Sequence, residues 1–259
     1  MGKLKNKTAL ITGASAGIGK ATAYAFAKEG CNLVLIARRL ERLEEIKNNL
    51  EKEYGVKVYI DKVDVSNFSD CKRFFDNIPE QFKSLDILVN NAGLAFGMEK
   101  LIEKPIEDID KMIDVNVKGF IYITNLFVPL MVKKGTGTIV NVGSIAGREV
   151  YPGGNVYCAT KHAVKALSNA LRIELVDTPI RVIEIAPGLV ETEFSIVRFK
   201  GDKEKADNVY KGLTPLYPED IADLILYTAT RPPHVQINEV VIMPTNQATT
   251  TIIHRENNE

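Results

Sequence analysis

Short runs of apolar, often β-branched residues recur along this chain, and a stretch with helical spacing follows nearly every one. The runs lie at Thr8–Thr12, Asn32–Ala37, Val56–Ile60, Asp86–Val89, Thr138–Val142, Arg181–Ile185 and Glu239–Ile242. Helical spacing covers Ile18–Glu29, Leu40–Glu53, Asp70–Ile78, Ile109–Lys133, 155–176 and Pro218–Thr228. Strands that read as continuous apolar runs are buried on both faces, and helices between them supply the cover. The alternation therefore predicts an α/β fold, a doubly wound parallel sheet of about seven strands with helices on both faces. No linker, repeat or low-complexity segment divides residues 1–259, so a single domain is expected, with a polar, unpatterned tail over 249–259.

Composition narrows the function classes. Lys+Arg and Asp+Glu each total 33, so no bulk field favours nucleic acid or an acidic membrane as a partner. No apolar run reaches the length that spans a bilayer, and the start of the chain passes straight into the first strand without a signal-type segment. Cys31, Cys71 and Cys158 form no framework spacing, which fits a reducing, cytoplasmic setting. His162, His234 and His254 show no ligand spacing, so no metal is expected.

Thr12-Gly13-Ala14-Ser15-Ala16-Gly17-Ile18-Gly19 lies between the first strand and its helix, where a nucleotide-binding turn belongs. Glycines there let the backbone approach a phosphate, and a helix start offers free N–H groups. Gly13, Ser15, Gly17, Ile18 and Gly19 are the candidate contacts. At the end of the second strand stand Arg38 and Arg39, where selection of NAD calls for an acidic residue. Two guanidiniums suit a 2′-phosphate; the competing reading is two solvated arginines at a helix start. Asp64 and Val65 follow the third strand and are candidates for the adenine. Asn91, Ala92 and Gly93 end the fourth strand beside the expected cofactor. Pro187, Gly188, Val190 and Thr192 follow the sixth, on a loop able to close on a nicotinamide.

Chemistry is concentrated between Ser144 and Lys161. Tyr157 and Lys161 are four residues apart on a helical pattern and share one face. A phenol with a pKa of about 10 is a poor acid or base at neutrality, and a nearby ammonium is expected to lower that value. Ser144, at the mouth of the preceding strand, is placed to bond the same substrate oxygen. Asn116 sits within a long helix, read either as a site residue or as a satisfied core amide.

In this order, T-G-x-x-x-G-I-G, N-N-A-G, Ser144, Y-x-x-x-K and P-G-x-V-x-T resemble the short-chain dehydrogenase/reductase family over essentially the whole chain. The resemblance implies a Rossmann-like fold and a catalytic tetrad of Asn116, Ser144, Tyr157 and Lys161. It further implies a tyrosine that exchanges a proton with substrate, a serine that orients the substrate oxygen, a lysine on the ribose and an asparagine supporting a relay water. G-S-I-A-G-R, Y-P-G-G-N-V-Y, P-G-L-V-E-T-E-F-S-I-V-R-F-K-G-D and P-T-N-Q are similar to one subgroup, the NADP-dependent 3-hydroxy acid dehydrogenases. That likeness implies NADP(H), a small 3-hydroxy acid such as serine, allo-threonine or 3-hydroxyisobutyrate (or its semialdehyde), and a homotetramer. A reductase of neutral ketones and a nucleotide-binding sensor without turnover stand as alternatives.

A lid is expected over 193–212. Arg148, just beyond Ser144, and Arg198, in the lid, are the two candidates to anchor a substrate carboxylate, with Arg148 preferred for its closeness to Ser144. For each, the competing reading is structural: Arg148 in a loop salt bridge with Glu149, and Arg198 on the outside of the lid.

Overall fold

A computed structural model describes residues 2–256 of the chain. Its strands are β1 (Thr8–Thr12), β2 (Asn32–Ala37), β3 (Val58–Lys62), β4 (Ile87–Asn90), β5 (Gly137–Val142), β6 (Ile180–Pro187) and β7 (Glu239–Ile242). They form one parallel sheet in the order β3-β2-β1-β4-β5-β6-β7. The helices are α1 (Gly17–Lys28), α2 (Leu40–Tyr54), α3 (Phe68–Asn77), α4 (Glu80–Lys83), α5 (Ile106–Ile113), α6 (Gly119–Lys134), α7 (Asn155–Glu174), α8 (Phe194–Arg198), α9 (Lys203–Asn208) and α10 (Pro218–Ala229). This is the expected doubly wound, Rossmann-like sheet.

Side-chain alternation along the strands builds two cores. In β1, Ala9 and Ile11 face one side and Leu10 the other; in β2, Leu33 and Leu35 join the first side, Val34 and Ile36 the second. Phe26 of α1, Leu43 and Leu50 of α2, and Ile221 and Ile225 of α10 cover the first side. Phe74 of α3, Met112 of α5 and Phe127 of α6 cover the second. Full burial of one such side chain stabilises by about 1.5–3 kcal/mol, and both faces need it, so neither helical layer is dispensable. The strand order reverses at β1, which neighbours both β2 and β4. A crevice opens at that point beyond the carboxyl ends of the strands.

Four local expectations are corrected. β3 starts at Val58 rather than Val56, because residues 55–57 are used to turn from α2 back onto the sheet; Lys57 already accepts from the Leu33 N–H at 2.9 Å. The helix expected over 109–133 begins at Ile106 and carries a π turn at Asp114–Lys118 between α5 and α6. Contrary to the sequence reading, this unbroken stretch, Ile106–Lys134, is long and apolar enough to cross a membrane by length and composition, with half of its most apolar window buried in the protein. The C-terminal segment is packed as far as it is described. Glu149 Oε2 accepts from the Thr250 N–H at 2.8 Å, and the Glu256 N–H donates to Gly212 O at 2.7 Å. Residues 257–259 of the expected tail lie outside the described residues.

Candidate active site

The glycine loop is shaped by two close approaches. Gly13 has φ +65, a conformation that side chains strain, and a Cβ there would meet the Asn91 amide at 3.0 Å. At Gly19 a Cβ would lie 2.5 Å from Gly13 O. The Asn91 amide donates to Thr12 O at 2.8 Å and to Gly13 O at 3.3 Å, so the β4 end braces the loop. Thr12 Oγ1 accepts the N–H groups of Asn91 and Ala92 at 3.0 and 2.9 Å. α1 begins without a side-chain cap, so its first-turn N–H groups stay available at the cleft.

A cleft of about 580 Å³ runs from this loop along the strand ends to α8. Gly13, Ser15, Gly17, Ile18, Arg38, Arg39, Asp64, Val65, Asn91, Ala92, Gly93, Ser144, Tyr157, Lys161, Pro187, Gly188, Val190, Thr192 and Arg198 all line it. Gly19 and Asn116 stand behind its wall. Sequence reasoning missed Met98, Tyr151 and Tyr210, and the C-terminal residues Gln247, Thr250, Ile253 and Arg255. Only the P-T-N-Q likeness pointed toward the last group. Gln247 is 5% exposed, and its Oε1 accepts from the Leu189 N–H at 2.8 Å, tying the C-terminal segment to the loop after β6.

Ser144 ends the β5 turn in extended backbone, its Oγ accepting from the Ala146 N–H at 3.1 Å. Tyr157 and Lys161 lie one turn apart on α7, with Lys161 Nζ 5.9 Å from the phenol ring centroid. Nζ donates to Val142 O at 2.9 Å. Burial pushes the Lys161 ammonium down to about 8, while the Glu184 carboxylate opposes the shift. Burial also drives the Tyr157 phenol well above its ordinary value, with Tyr151 adding to the effect. The cation acting against that rise is Arg198, whose guanidinium lies 5.0 Å from the Tyr157 ring centroid. Lys161, 5.9 Å from the ring centroid, is not among the largest influences on the phenol, which are burial, Tyr151 and Arg198.

The Asn116 side chain, 2% exposed within the π turn, spends its hydrogen bonds on protein: Oδ1 accepts from the Leu94 N–H at 2.8 Å, and Nδ2 donates to Leu94 O and Thr160 Oγ1 at 2.8 and 3.0 Å. Asp64 is likewise engaged, accepting from the Ser66 N–H and hydroxyl at 3.0 and 2.6 Å and pairing with Lys111 at 3.3 Å.

The preference for Arg148 over Arg198 is overturned. Arg148 does not line the cleft. Its guanidinium pairs with the buried Glu184 at 3.0 Å and with Glu239 at 2.9 Å, and Nη1 also donates to Ser144 O at 3.1 Å. An unpaired carboxylate at Glu184, itself 1% exposed, would be strongly disfavoured, so the pairing claims this arginine. Glu149 is not its partner and binds Thr250 instead. Arg198, by contrast, projects into the cleft among Tyr157, Phe194 and Tyr151, with centroid distances of 5.0, 5.4 and 5.7 Å. Its Nη2 donates to Tyr151 Oη at 2.6 Å, and its buried Nε has no partner among the described residues.

The segment expected to act as a lid carries α8 and α9. Lys200 pairs with Asp108 of α5 at 2.8 Å, and the Gly97 N–H donates to Arg198 O at 2.8 Å, so the far end of α8 is fastened.

The family model described as short chain dehydrogenase matches residues 7–203. The chain is 49% identical over 257 residues to an NADP-dependent 3-hydroxy acid dehydrogenase of Schizosaccharomyces pombe, covering 99% of both chains. It is 43% identical over 240 residues to sulfoacetaldehyde reductase 2 of Chromohalobacter salexigens, covering 92% of this chain and 94% of that one. A solved structure of the closed form of serine dehydrogenase complexed with NADP+ superposes with a TM-score of 0.90 at 43% identity, covering 96% of this chain and all of the other. Fold, strand-end cleft and family match agree: this chain belongs to the short chain dehydrogenase family.

Proposed function

We propose that the protein is an NADP-dependent oxidoreductase that interconverts a small 3-hydroxy acid, of the serine, allo-threonine or 3-hydroxyisobutyrate type, and its semialdehyde. The cradle fits a dinucleotide phosphate: Gly13, Ser15, Gly17 and Ile18 line it, α1 opens on it uncapped, and Arg39 is held beside it by Ser15. Ser15, Gly17 and Ile18 would hold the pyrophosphate, Arg38 and Arg39 the 2′-phosphate, and Lys161 the ribose. When bound, NADP supplies or accepts the hydride.

The chain's own residues then handle the proton and the orientation. Tyr157 passes a proton between its phenol and the substrate oxygen, while Ser144 orients that oxygen. Asn116 holds the segment at Leu94 that backs the site. Ser144 is itself held by the Arg148–Glu184 pair through its carbonyl. Lid closure excludes water from this step.

The observation that carries the substrate class is Arg198. Its guanidinium lines the cleft beside Tyr157 and, unlike that of Arg148, pairs with no carboxylate among the described residues, so a carboxylate two carbons from the reacting hydroxyl would find a free charge there. Names of relatives support the same reading: the S. pombe relative is called a 3-hydroxy acid dehydrogenase. Initial rates on serine, allo-threonine, 3-hydroxyisobutyrate and a neutral alcohol of similar size, each with NADP and NAD, test it. Faster turnover of the neutral alcohol would favour a carbonyl reductase. Cofactor binding with no turnover on any of them would favour a sensor.

Assembly and setting belong to the same proposal. We read residues 1–259 as one unit working as a homotetramer in the cytoplasm. Ile106 and Ile113 on α5, and Ile173 on α7 with Val176 just beyond it, are 66%, 37%, 74% and 82% exposed, an apolar surface that symmetry mates would cover. The three cysteines are buried and free, as in a reducing compartment.

A further inference from the structure

An anion from the lid already sits on the arginines expected to read the 2′-phosphate. Glu193 Oε2 accepts from Arg39 Nη1 at 2.7 Å, and Oε1 accepts from Arg42 Nη1 at 2.6 Å. One carboxylate thus bridges the guanidiniums at the end of β2 and in the first turn of α2, which are 154 and 151 residues away in sequence. The other donors of Arg39, Nε and Nη2, both rest on Ser15 Oγ of the glycine loop, at 3.2 and 3.1 Å. All three charged side chains are about two-fifths exposed, so the cluster opens to solvent and to the cleft. Hydrogen bonds from Arg42 and then Arg39 hold the Glu193 carboxyl below the usual carboxylate range.

We propose that Glu193, Arg39 and Arg42 form an anion-exchange site, in which Arg42 is a third cation for the 2′-phosphate of the cofactor and Glu193 is the internal anion that this phosphate displaces. The inference rests on the NADP reading given above. A phosphate monoester carries about −1.5 to −2 charge and three acceptor oxygens, against −1 and two for the carboxylate. It is therefore the stronger ligand for two guanidinium forks. Both anions cannot share the arginines cheaply, since like charges a few ångströms apart repel.

The exchange has a structural consequence. Glu193 directly precedes α8, which carries Phe194 and Arg198 to Tyr157. Displacing Glu193 releases the near end of the lid, whose far end stays fastened through Lys200 and Asp108. A cofactor without the 2′-phosphate leaves the near-end clamp in place. Cofactor choice is then set by an attraction at Arg38, Arg39 and Arg42 and by a competition at Glu193.

The test uses calorimetric titration of the full chain with 2′,5′-ADP and with 5′-AMP, fragments that lack the nicotinamide. Glu193→Gln removes the competing charge at nearly constant shape. It should tighten 2′,5′-ADP by about threefold to thirtyfold, the worth of two part-exposed ion pairs, and leave 5′-AMP unchanged. Adding Arg42→Met to Glu193→Gln should weaken 2′,5′-ADP again by about tenfold, with 5′-AMP unaffected. Unchanged or weaker binding of 2′,5′-ADP to Glu193→Gln would overturn the exchange, as would a double variant that binds like the single one. If the unaltered protein binds the two fragments equally, the NADP reading fails and takes this inference with it. A preference for 2′,5′-ADP that Glu193→Gln does not increase sinks the exchange alone.

Discussion

Replacing Arg198 by methionine keeps most of the apolar stem and removes the charge from the cleft. In the structure that charge has one committed bond, to Tyr151 Oη at 2.6 Å, and an unpartnered buried Nε. A charge-assisted bond to a substrate carboxylate is worth about 1.5–3 kcal/mol, so kcat/KM for 3-hydroxyisobutyrate or serine should fall by about tenfold to a hundredfold or more. A neutral alcohol of similar size makes no such bond and should lose little through this route. A second effect acts on both substrates. Burial raises the Tyr157 phenol, and Arg198, 5.0 Å from its ring centroid, is the cation that opposes the rise. Without it the folded-state pKa moves further up, so the phenolate that accepts the hydroxyl proton forms only at higher pH. The rising, acid-side limb of the oxidation profile should shift to higher pH for acid and alcohol alike. The assay is initial oxidation rates against pH for both substrates at saturating NADP. A proportional loss on both substrates, with an unmoved pH profile, would refute the anchor and the tuning together, and would leave Arg198 as a packing residue of the lid.

Tyr157→Phe removes the exchangeable proton and should lower turnover by several orders of magnitude, with cofactor affinity by fluorescence titration little changed; near-normal turnover would contradict the proton route. Arg148→Met strands the Glu184 carboxylate and should cost about 3–5 kcal/mol of stability in urea unfolding, while the ratio of kcat/KM for acid to neutral alcohol stays constant; a changed ratio would restore Arg148 as an anchor. The buried ammonium of Lys161 titrates at about 8 in the folded chain against an ordinary value of 10.5, so the unfolded chain binds more protons between those values and folding gains stability as pH rises through them. In thermal melts the native protein should therefore gain on Lys161→Met across that window, and a pH-independent difference would argue against a buried charge. Sedimentation at micromolar concentration should give a tetramer, and a monomer would remove the case for pairing through α5 and α7.

The sequence determined whatever depends on neighbours within a turn or two. Alternation of buried runs and helical spacing located all seven strands, because a strand buried on both faces must be apolar throughout. The glycine loop was legible because the positive φ of Gly13 and the approach of Gly19 to Gly13 O are local demands, and Tyr157 and Lys161 because four residues on a helix make one face. Charge pairing was not legible. Arg148 and Arg198 look alike in sequence, each a few residues from a catalytic or lid motif. Only the β5-β6-β7 order brings Glu184 and Glu239 to Arg148 and so withdraws it from the cleft, leaving Arg198 among the aromatic rings. The bridge from Glu193 to Arg39 and Arg42 and the closure of the cleft by Gln247 and Thr250 join parts of the chain far apart in sequence. A charged side chain is fixed by whichever opposite charge the sheet order brings within reach, and a helical or strand period carries no record of that.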